Sequence, residues 1–438
     1  MSSASGPENG NRAEQTPSRR QNLWRADLVC PAGSPPIRGG AVLTRGGRIE
    51  AVGPEAEVRP KGPLVPERNF GRAVLVPGLV NAHTHLELSG FEATRAPMAE
   101  WIVALVRETR GWPPPLFLSS SRLGAIASFG SGVTCVGDIS ASGHSRVILS
   151  FMEMRGVVFS EVLGLAPAEA DSIVRQRLPS ADGVFETGGE TGGGAEFLRD
   201  GVSPHAPYTT SIPLYRLALE EARGRTWPSA THLAESPEEV RFLKDGGGAF
   251  AEMHKALESA VNGFDPPGCS PVRYLADAGV LEDIDLAVHC NQTDEEDWEL
   301  LTRAGAVVCL CPRSTAYFGH PFADAAGMRR AGLRLCLGTD SRASSPSLSL
   351  LDEAAALWEA DPGLTADALL EICTVNGAGA LGFTDEGVGR LTSGGVADFA
   401  VIAPPPGAAE VALADIFRPG AIVRTTVSGG IVRFDRGD

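Results

Sequence analysis

Residues 76–90 read VPGLVNAHTHLELSG, an apolar run that ends in two histidines, His83 and His85. A short apolar run of this kind is typical of a buried strand, and the period of two along a strand places both imidazoles on one face. Neutral imidazoles are good ligands for Zn(II) and Fe(II). A His-x-His pair is weak evidence for a metal site on its own, so its interpretation depends on the rest of the chain.

Seven further runs repeat this pattern of a short apolar stretch that ends in polar residues. They are 132-GVTCVGDIS, 155-RGVVFSEVLG, 201-GVSPHAPYT, 229-SATHLAES, 285-DLAVHCNQ, 307-VVCLCPRS and 334-RLCLGTDS. Helix-like stretches lie between several of them, such as 213-PLYRLALEEAR and 293-TDEEDWELLTRAG. This β–α alternation favours a parallel sheet, and eight repeats predict an α/β fold that closes into a (β/α)8 TIM-like barrel over residues 76–384.

The two ends of the chain have a different texture, with apolar runs that Gly and Pro interrupt. Examples are 40-GAVLTRGGRIEAVG and 421-AIVRTTVSGGIVRF, which are typical of antiparallel strands joined by turns. Because chain termini often lie close in space, we predict that residues 23–75 and 385–438 together form one small β-sandwich domain. Residues 1–22 are polar and lack the apolar core of a signal peptide, which predicts a disordered tail. The insertions at 183–199 and 244–271 are predicted to be loops, either lids or surface linkers.

Charge and composition limit the partners. The chain carries 38 Lys+Arg against 54 Asp+Glu, a formal net charge of −16. An acidic surface repels phosphate groups, which argues against nucleic-acid and anionic-membrane partners, and no stretch approaches the length of a membrane span. Eight cysteines with no CxxC pair, and no secretory signal, fit a reduced cytoplasmic setting. We therefore expect a small-molecule substrate, with a homodimer as the default assembly.

The polar residues at the ends of the predicted strands are the candidates for chemistry, because the carboxyl ends of barrel strands form the catalytic face. They are His83, His85, Asp138, His205, His232, His289 and Asp340. Three imidazoles (83, 85 and 232) and the Asp340 carboxylate make a set of four ligands that leaves a position for water.

Each of these assignments has an alternative. His232 is also compatible with a buried core histidine, and Asp340 with the N-cap of a helix in 340-DSRASSPSLSLLDE. Glu235, three residues after His232, is suited to moving a proton between water and a leaving nitrogen. Its alternative is the first turn of a helix in 237-PEEVRFL, where carboxylates favour the positive end of the dipole. The coincidence of four candidate ligands at strand ends favours the metal site.

The segments PGLVNAHTHLELS, SPHAPYTTS, THLAES, VHC, GTDS and GRLTSGGVADFAVI resemble the signatures of the amidohydrolase superfamily. They most resemble its branch of cytosine, guanine, adenosylhomocysteine and aminodeoxyfutalosine deaminases and triazine chlorohydrolases, from about residue 23 to the C-terminus. The resemblance implies a hydrolase that acts on carbon–nitrogen bonds in cyclic amidines. It implies that His83, His85, His232 and Asp340 hold one divalent metal ion, Zn or Fe. It also implies catalytic roles for Glu235, His289 and Asp340. Members with two ions usually carry a carboxylated Lys on an inner strand, and the third and fourth predicted strands contain no Lys.

One segment departs from the commonest pattern of this branch, Asn-Pro-x-Ser-Asn after the seventh strand. Here the chain reads 311-CPRSTAYFGHP, which resembles relatives linked to 6-aminodeoxyfutalosine, an adenine nucleoside with a benzoate group in an alternative route to menaquinone. The resemblance implies deamination of that nucleoside. The substrate-binding candidates are Glu87, Arg107, His205, Arg313 and His320. A solvated surface position is the alternative for the arginines.

Other activities remain open at this point. They are deamination of S-adenosylhomocysteine, methylthioadenosine or another aminopurine or pyrimidine, then triazine dechlorination, then a non-catalytic scaffold. Glu235 argues against dechlorination, since halide leaves without a proton, and the intact ligand set argues against a scaffold.

Overall fold

The structure is a computed structural model that describes residues 20–62, 64–92, 94–178, 197–259, 261, 264–407 and 410–437. The predicted tail over 1–22 and the insertion over 183–199 therefore lie almost entirely outside the described residues. The first strand begins at Gln21, two residues before the predicted boundary.

The described part of the chain contains sixteen strands and fifteen α-helices. The strands are β1 (Gln21–Val29), β2 (Ile37–Arg45), β3 (Arg48–Pro54), β4 (Glu67–Asn69), β5 (Val74–Pro77), β6 (Leu79–Thr84), β7 (Val133–Ser140), β8 (Arg155–Val162), β9 (Leu198–Pro204), β10 (Ala230–Leu233), β11 (Leu286–His289), β12 (Val307–Leu310), β13 (Arg334–Leu337), β14 (Phe399–Ala403), β15 (Ile422–Ser428) and β16 (Ile431–Asp435).

The helices are α1 (Glu55–Val58), α2 (Met98–Thr109), α3 (Pro114–Gly130), α4 (His144–Phe151), α5 (Ala170–Arg177), α6 (Ile212–Arg225), α7 (Pro237–Asp245), α8 (Ala249–Ala256), α9 (Pro271–Asp277), α10 (Glu295–Ala304), α11 (Pro312–Phe318), α12 (Ala325–Arg330), α13 (Leu350–Ala360), α14 (Ala366–Ile372) and α15 (Val375–Ala380). Among these described helices, none is both long and apolar enough to cross a bilayer.

The eight predicted strands of the central region are all present, as β6 to β13. They form two four-stranded parallel sheets, in the orders β6-β7-β8-β9 and β10-β11-β12-β13. Single parallel bridges, Thr84 to Asp340 and Val202 to Ser229, lie at the two seams between these sheets. The predicted α/β fold is confirmed. The seams carry these single bridges and a few further hydrogen bonds, such as that from the Thr339 N–H to the His83 carbonyl oxygen, in place of a continuous ladder.

Side chains that alternate along these strands divide into two cores. Val157 and Phe159 of β8 belong to a cluster shared with Val288 of β11 and Cys309 of β12, so they face the space between the two sheets. Val158, between them, packs on the outer side with helix residues. Strands buried on both faces in this way are typical of parallel sheets covered by helices. The two cores make a rigid frame that fixes the positions of the strand ends.

Strands from both ends of the chain form one further sheet, as predicted. Its order is β16-β15-β14-β5-β1-β2-β3, with β4 beside β1. β14 pairs antiparallel with β5, and Val74 lies opposite Ile402. These eight strands are hydrogen-bonded as one sheet, which curls so that Arg68 of β4 donates to Asp435 of β16 at 2.6 Å. Strands from both ends of the chain thus share one curled sheet, which supports the predicted β-domain in part, since the two separate layers of a sandwich are not seen.

A buried ion pair ties this sheet to the amino end of β8. Arg155 Nε donates to Asp398 Oδ2 at 3.3 Å, and Arg155 Nη1 donates to Glu386 Oε2 at 2.7 Å. The side chains of Arg155 and Asp398 are only 6% and 1% exposed. Asp398 also accepts from the backbone N–H of Gly429 at 2.6 Å. This ion pair therefore lies at the amino end of β8, because Arg155 is the first residue of the strand.

The insertion over 244–271 is not only a loop. It contains α8, whose Phe250 and Met253 are buried against Tyr208 and Phe242. The Gly- and Pro-rich flanks led to the loop prediction, but apolar residues at helical spacing give this segment a face to bury. The prediction is therefore corrected for α8.

Candidate metal centre and active site

The four predicted metal ligands converge at the carboxyl ends of the strands. Donor atoms of His83, His85 and His232 lie within 4.8 Å of one another, and those of Glu235, His289 and Asp340 form a second such group. Asp340 Oδ1 joins the two groups, at 3.7 Å from His83 Nε2 and 3.5 Å from His85 Nε2. The structure thus brings all six side chains into one cluster.

Unpartnered imidazoles indicate that this cluster fits a cation. His83 is fully buried, and neither of its ring nitrogens has a hydrogen-bond partner within the described part of the chain. His85 Nε2 lies 3.3 Å from His232 Nε2. Buried polar atoms without partners are costly and rare, and an ion between these nitrogens would satisfy them. Three nitrogens and one carboxylate oxygen suit Zn(II) or Fe(II).

His232 is oriented by the strand beside it. Its Nδ1 lies 2.9 Å from the carbonyl oxygen of His205, which also accepts from the His232 backbone N–H at 2.9 Å. A proton on Nδ1 makes the first of these contacts a hydrogen bond and leaves the Nε2 lone pair for the cluster. Such a contact to the outer nitrogen is common for metal-binding histidines, because it fixes both the tautomer and the ring plane.

Two serine hydroxyls fix the Asp340 carboxylate. Ser314 Oγ and Ser344 Oγ donate to Asp340 Oδ2 at 2.6 Å and 2.7 Å. Because Oδ2 is occupied by both hydroxyls, Oδ1 is the oxygen directed at the imidazoles. Sequence reasoning missed these serines, since they belong to α11 and to the loop after β13, and no spacing rule relates them to Asp340.

The structure excludes the alternative helix-capping roles. The first α-helix after β13 begins at Leu350 with Ser349 as its N-cap, so Asp340 is not the cap. α7 begins at Pro237 with Ser236 as its N-cap, so Glu235 precedes the first turn.

The backbone is strained at several of these strand ends. Ala234, His289 and Asp340 have φ values of +50°, +73° and +55°. Residues other than glycine rarely adopt this left-handed region, and such strain clusters at functional sites where surrounding contacts impose it. At Ala234 and Glu235, both backbone N–H groups donate to the buried Glu239 carboxylate, at 3.1 Å and 2.7 Å.

Burial sets the protonation states of the ligands. Burial, together with the charge of the neighbouring His83, lowers the pKa of His85 and of His289 to about 3. Burial and His205 hold the pKa of His232 well below its usual range. Burial alone would raise the pKa of Asp340, but the nearby imidazoles hold it well below the ordinary value. At neutral pH these imidazoles are therefore neutral and the carboxylate is charged, which are the forms that bind metals.

The pKa of Glu235 shifts in the opposite direction from that of Asp340. Its side chain is 8% exposed, and its Oε1 lies 3.5 Å from His289 Nε2. Burial raises its pKa well above the ordinary value, and the charges of Asp340 and Glu239 add to the effect. A carboxyl group with a raised pKa both accepts and donates a proton near neutral pH, as general acid–base chemistry requires.

Two of the predicted substrate-binding residues lie close to this cluster. His205 lies beside His232, and His320 lies beside Glu238 of α7. The His205 ring centroid is 4.9 Å from that of His232, and its Nδ1 lies 2.6 Å from Thr209 Oγ1. His320 Nε2 lies 3.5 Å from Glu238 Oε2, and its side chain is 8% exposed.

The other three predicted substrate-binding residues, Glu87, Arg107 and Arg313, contact parts of the fold outside the cluster. Glu87 accepts from Ser140 Oγ at 2.6 Å and from Ser142 Oγ at 2.7 Å, so it holds the loop after β7.

Arg313 Nη1 lies 2.8 Å from Ser347 Oγ and 3.2 Å from Asp352 Oδ2, which ties α11 to α13. Arg107 is exposed and donates to the Ala256 carbonyl oxygen of α8 at 3.1 Å.

Sequence comparison matches most of the chain to one family. The profile of the amidohydrolase family matches residues 74–432, and a bacterial imidazolonepropionase-like composite domain matches residues 40–61. An aminodeoxyfutalosine deaminase of Deinococcus radiodurans is 32% identical over 78% of this chain and 81% of its own. A 5-methylthioadenosine/S-adenosylhomocysteine deaminase of Saccharophagus degradans is 28% identical over 83% of this chain and 78% of its own.

Solved structures share the fold. An aminofutalosine deaminase of Helicobacter pylori superposes with a TM-score of 0.77 over 94% of this chain and 99% of its own, at 22% identity. A zinc-bound adenosine deaminase of Xanthomonas campestris gives 0.76 over 96% and 94%, at 23% identity.

Proposed function

Because the chain belongs to the amidohydrolase family, we propose that it is a metal-dependent deaminase that releases ammonia from 6-aminodeoxyfutalosine. The family and its deaminase relatives make it a hydrolase of carbon–nitrogen bonds in cyclic amidines. One observation carries the proposal: His83, His85, His232 and Asp340 converge beside the buried Glu235.

We also infer that β6 to β13 close into a (β/α)8 barrel over residues 76–384, with residues 23–75 and 385–438 in the β-domain. The parallel bridges at both seams and the shared interior core support closure. The cluster then lies at the mouth of the barrel, where such folds carry their active sites.

In this proposal, His83, His85, His232 and Asp340 hold one divalent ion, with zinc as the preferred choice. An ion held there would lower the pKa of a water molecule toward about 7 and so would supply a nucleophile at neutral pH. The chain's own residues perform the proton transfers. Glu235 accepts the proton that water gives up as its oxygen adds to the ring carbon bearing the exocyclic amine. It then donates that proton to the amine, which leaves as ammonia. The remaining proton on the added oxygen moves to the adjacent ring nitrogen, so that a ring carbonyl remains.

His289 and the buried surroundings support these steps. His289 Nε2, 3.5 Å from Glu235 Oε1, is placed to hold the carboxyl group and the incoming oxygen in line. Its burial keeps bulk water away, which strengthens the electrostatic interactions within the site. Asp340 Oδ1 faces the same space, while its second oxygen stays bound to the serines.

The substrate assignment rests on the aminodeoxyfutalosine deaminase of Deinococcus radiodurans, which is 32% identical in sequence, and on the segment 311-CPRSTAYFGHP. Deamination of methylthioadenosine or S-adenosylhomocysteine is the second candidate, because several relatives at 26–29% identity carry that name. The triazine hydrolase structures, at 19–20% identity, share the fold alone.

An ammonia-release screen tests the proposal. The purified protein is loaded with Zn(II) or Fe(II) and assayed with aminodeoxyfutalosine, methylthioadenosine, S-adenosylhomocysteine, cytosine, guanine and a chlorotriazine. We expect kcat/KM for aminodeoxyfutalosine to exceed that for S-adenosylhomocysteine at least tenfold, and the metal-free protein to be inactive. Turnover confined to substrates that are not nucleosides would overturn the assignment.

A further inference from the structure

We propose that Glu161 binds the ribose of the nucleoside, with its carboxylate accepting hydrogen bonds from the sugar hydroxyls. This inference rests on the proposed function and adds a second subsite to it, on the strand β8 that is separated from β10 and its His232 by β9.

The register of β8 directs Glu161 into the enclosed space. Val157 and Phe159, at the two preceding alternate positions, belong to the inner core, whereas Val158 and Val162 belong to the outer cores. Since side chains alternate along a strand, Glu161 lies on the inner face, one step beyond Phe159. Phe159 is fully buried, whereas Glu161, the next inward position toward the carboxyl end of β8, is only partly buried.

The neighbours of Glu161 place it beside His205. In the ladder between β8 and β9, Glu161 lies opposite Ser203, two residues before His205. Adjacent strands are about 4.8 Å apart, so Glu161 on β8 is roughly 10 Å from the position of His232 on β10. A nucleoside is long enough to span that interval, with its base amine at the metal cluster and its ribose at Glu161.

Glu161 lacks a partner of its own. Within the described residues, its carboxylate makes neither a hydrogen bond nor an ion pair, although the side chain is partly buried. The hydroxyl of the buried Ser203 beside it is also without a partner. A partly buried carboxylate with two free acceptor oxygens matches in number the two adjacent hydroxyls of a ribose, which are donors.

The surrounding charges are consistent with a neutral, hydroxyl-bearing part of the ligand, such as its ribose, at this position. Burial raises the pKa of Glu161 to about 7, the charge of Arg177 lowers it, and that of Glu87 raises it. Because Arg177 already supplies a positive charge, an additional cationic ligand is not needed. Arg177 itself donates to the Ala141 carbonyl oxygen at 2.7 Å, so it is held at the edge of this space.

The test compares ribose and deoxyribose ligands in three proteins. Metal-loaded wild type, Glu161→Gln and Glu161→Ala are titrated by calorimetry with inosine, 2′-deoxyinosine and 3′-deoxyinosine, and ammonia release is measured with the matching adenosines. Glu169→Gln is the control, because Glu169 is an exposed glutamate nearby in the sequence. Metal content and thermal unfolding are recorded for every variant.

We expect Glu161→Ala to weaken inosine binding roughly 10- to 100-fold, the usual effect of losing a hydrogen bond to a charged group, and Glu161→Gln by less. The loss should appear in KM more than in kcat, since the contact is made equally in the ground and transition states. At least one deoxyinosine should bind wild type correspondingly weakly and be insensitive to the substitution. Glu169→Gln should match wild type.

Two outcomes overturn the inference. One is wild-type protein that binds inosine and both deoxyinosines equally well, a result that needs no variant to fold. The other is a Glu161 variant, with normal metal content and stability, that loses the same factor for all three ligands. If the wild-type protein neither binds nor deaminates any nucleoside, the proposed function itself is wrong. If it deaminates nucleosides but Glu161 does not discriminate ribose from deoxyribose, only the Glu161 subsite is wrong.

Discussion

Replacing Glu235 by Gln tests the proton-transfer role most directly. The carboxyl group is buried in the cluster with His289 and Asp340, and its Oε1 lies 3.5 Å from His289 Nε2. Gln has the same size and can accept a hydrogen bond, but it can carry no proton from water to the leaving amine. The backbone N–H of Glu235 stays bound to Glu239, so the local fold should not change.

The size of the effect follows from the chemistry that is removed. General acid–base catalysis contributes about 10²- to 10⁴-fold, which corresponds to roughly 3–5 kcal/mol of transition-state stabilisation. We expect kcat and kcat/KM to fall together by this factor, because the contact acts only during the reaction. The metal content should stay at the wild-type level, since the three imidazoles and Asp340 are intact.

The assay is steady-state ammonia release at saturating substrate, with metal content measured on the same preparations. Glu220→Gln, an exposed glutamate on α6, is the control and should retain wild-type values. A Glu235→Gln protein with more than a tenth of wild-type turnover would refute the proton-transfer role. Loss of the metal in this variant would show that the carboxylate is a ligand instead.

Three further predictions concern other parts of the molecule. Ser344→Ala removes one hydroxyl from Asp340 and should weaken metal affinity about 10- to 100-fold, measured by competition with a chelator. Arg155→Met leaves the buried Asp398 without its cation and should lower the free energy of unfolding in urea by about 3–5 kcal/mol. Burial raises the pKa of Glu161 to about 7, so inosine binding should tighten as the pH rises through 7, where the carboxylate becomes charged, and Glu161→Gln should lose this component.

Each of these has a control. Ser119→Ala, on the exposed face of α3, should leave metal affinity unchanged. Arg223→Met removes an exposed pair with Asp283, which contributes about 1 kcal/mol or less. Arg177 and Glu87 face Glu161 with opposite effects on its pKa, and a pH profile that is identical in wild type and in Glu161→Gln would contradict the third prediction. Equal losses of unfolding free energy in Arg155→Met and Arg223→Met would contradict the prediction for the buried ion pair.

Sequence reasoning was most successful where local periodicity decides the outcome. The eight inner strands and the convergence of His83, His85, His232 and Asp340 follow from apolar runs that end in polar residues. Both strands of the 40–54 hairpin and the shared terminal sheet also appear as predicted.

The contacts that sequence reasoning missed are made between side chains far apart along the chain. Nothing in the spacing of Ser314 relates it to Asp340, and nothing in 311-CPRSTAYFGHP reveals that Arg313 turns toward α13. β4 is only three residues long and carries charges, so it has no apolar signal. Glu161 is different, because the alternation in 155-RGVVFSEVLG already places it on the face of Phe159, and that signal was available in the sequence.

The pairing of β5 with β14 has a consequence for how the protein is made. Residues 74–77 leave the ribosome more than 300 residues before residues 399–402, which pair with them. Until the last strands are synthesised, the β5 edge is an open template for other chains, and such edges promote aggregation. Contacts this distant in sequence also form slowly. A chain that terminates before β14 should therefore accumulate as insoluble protein even when its metal-binding strands are complete.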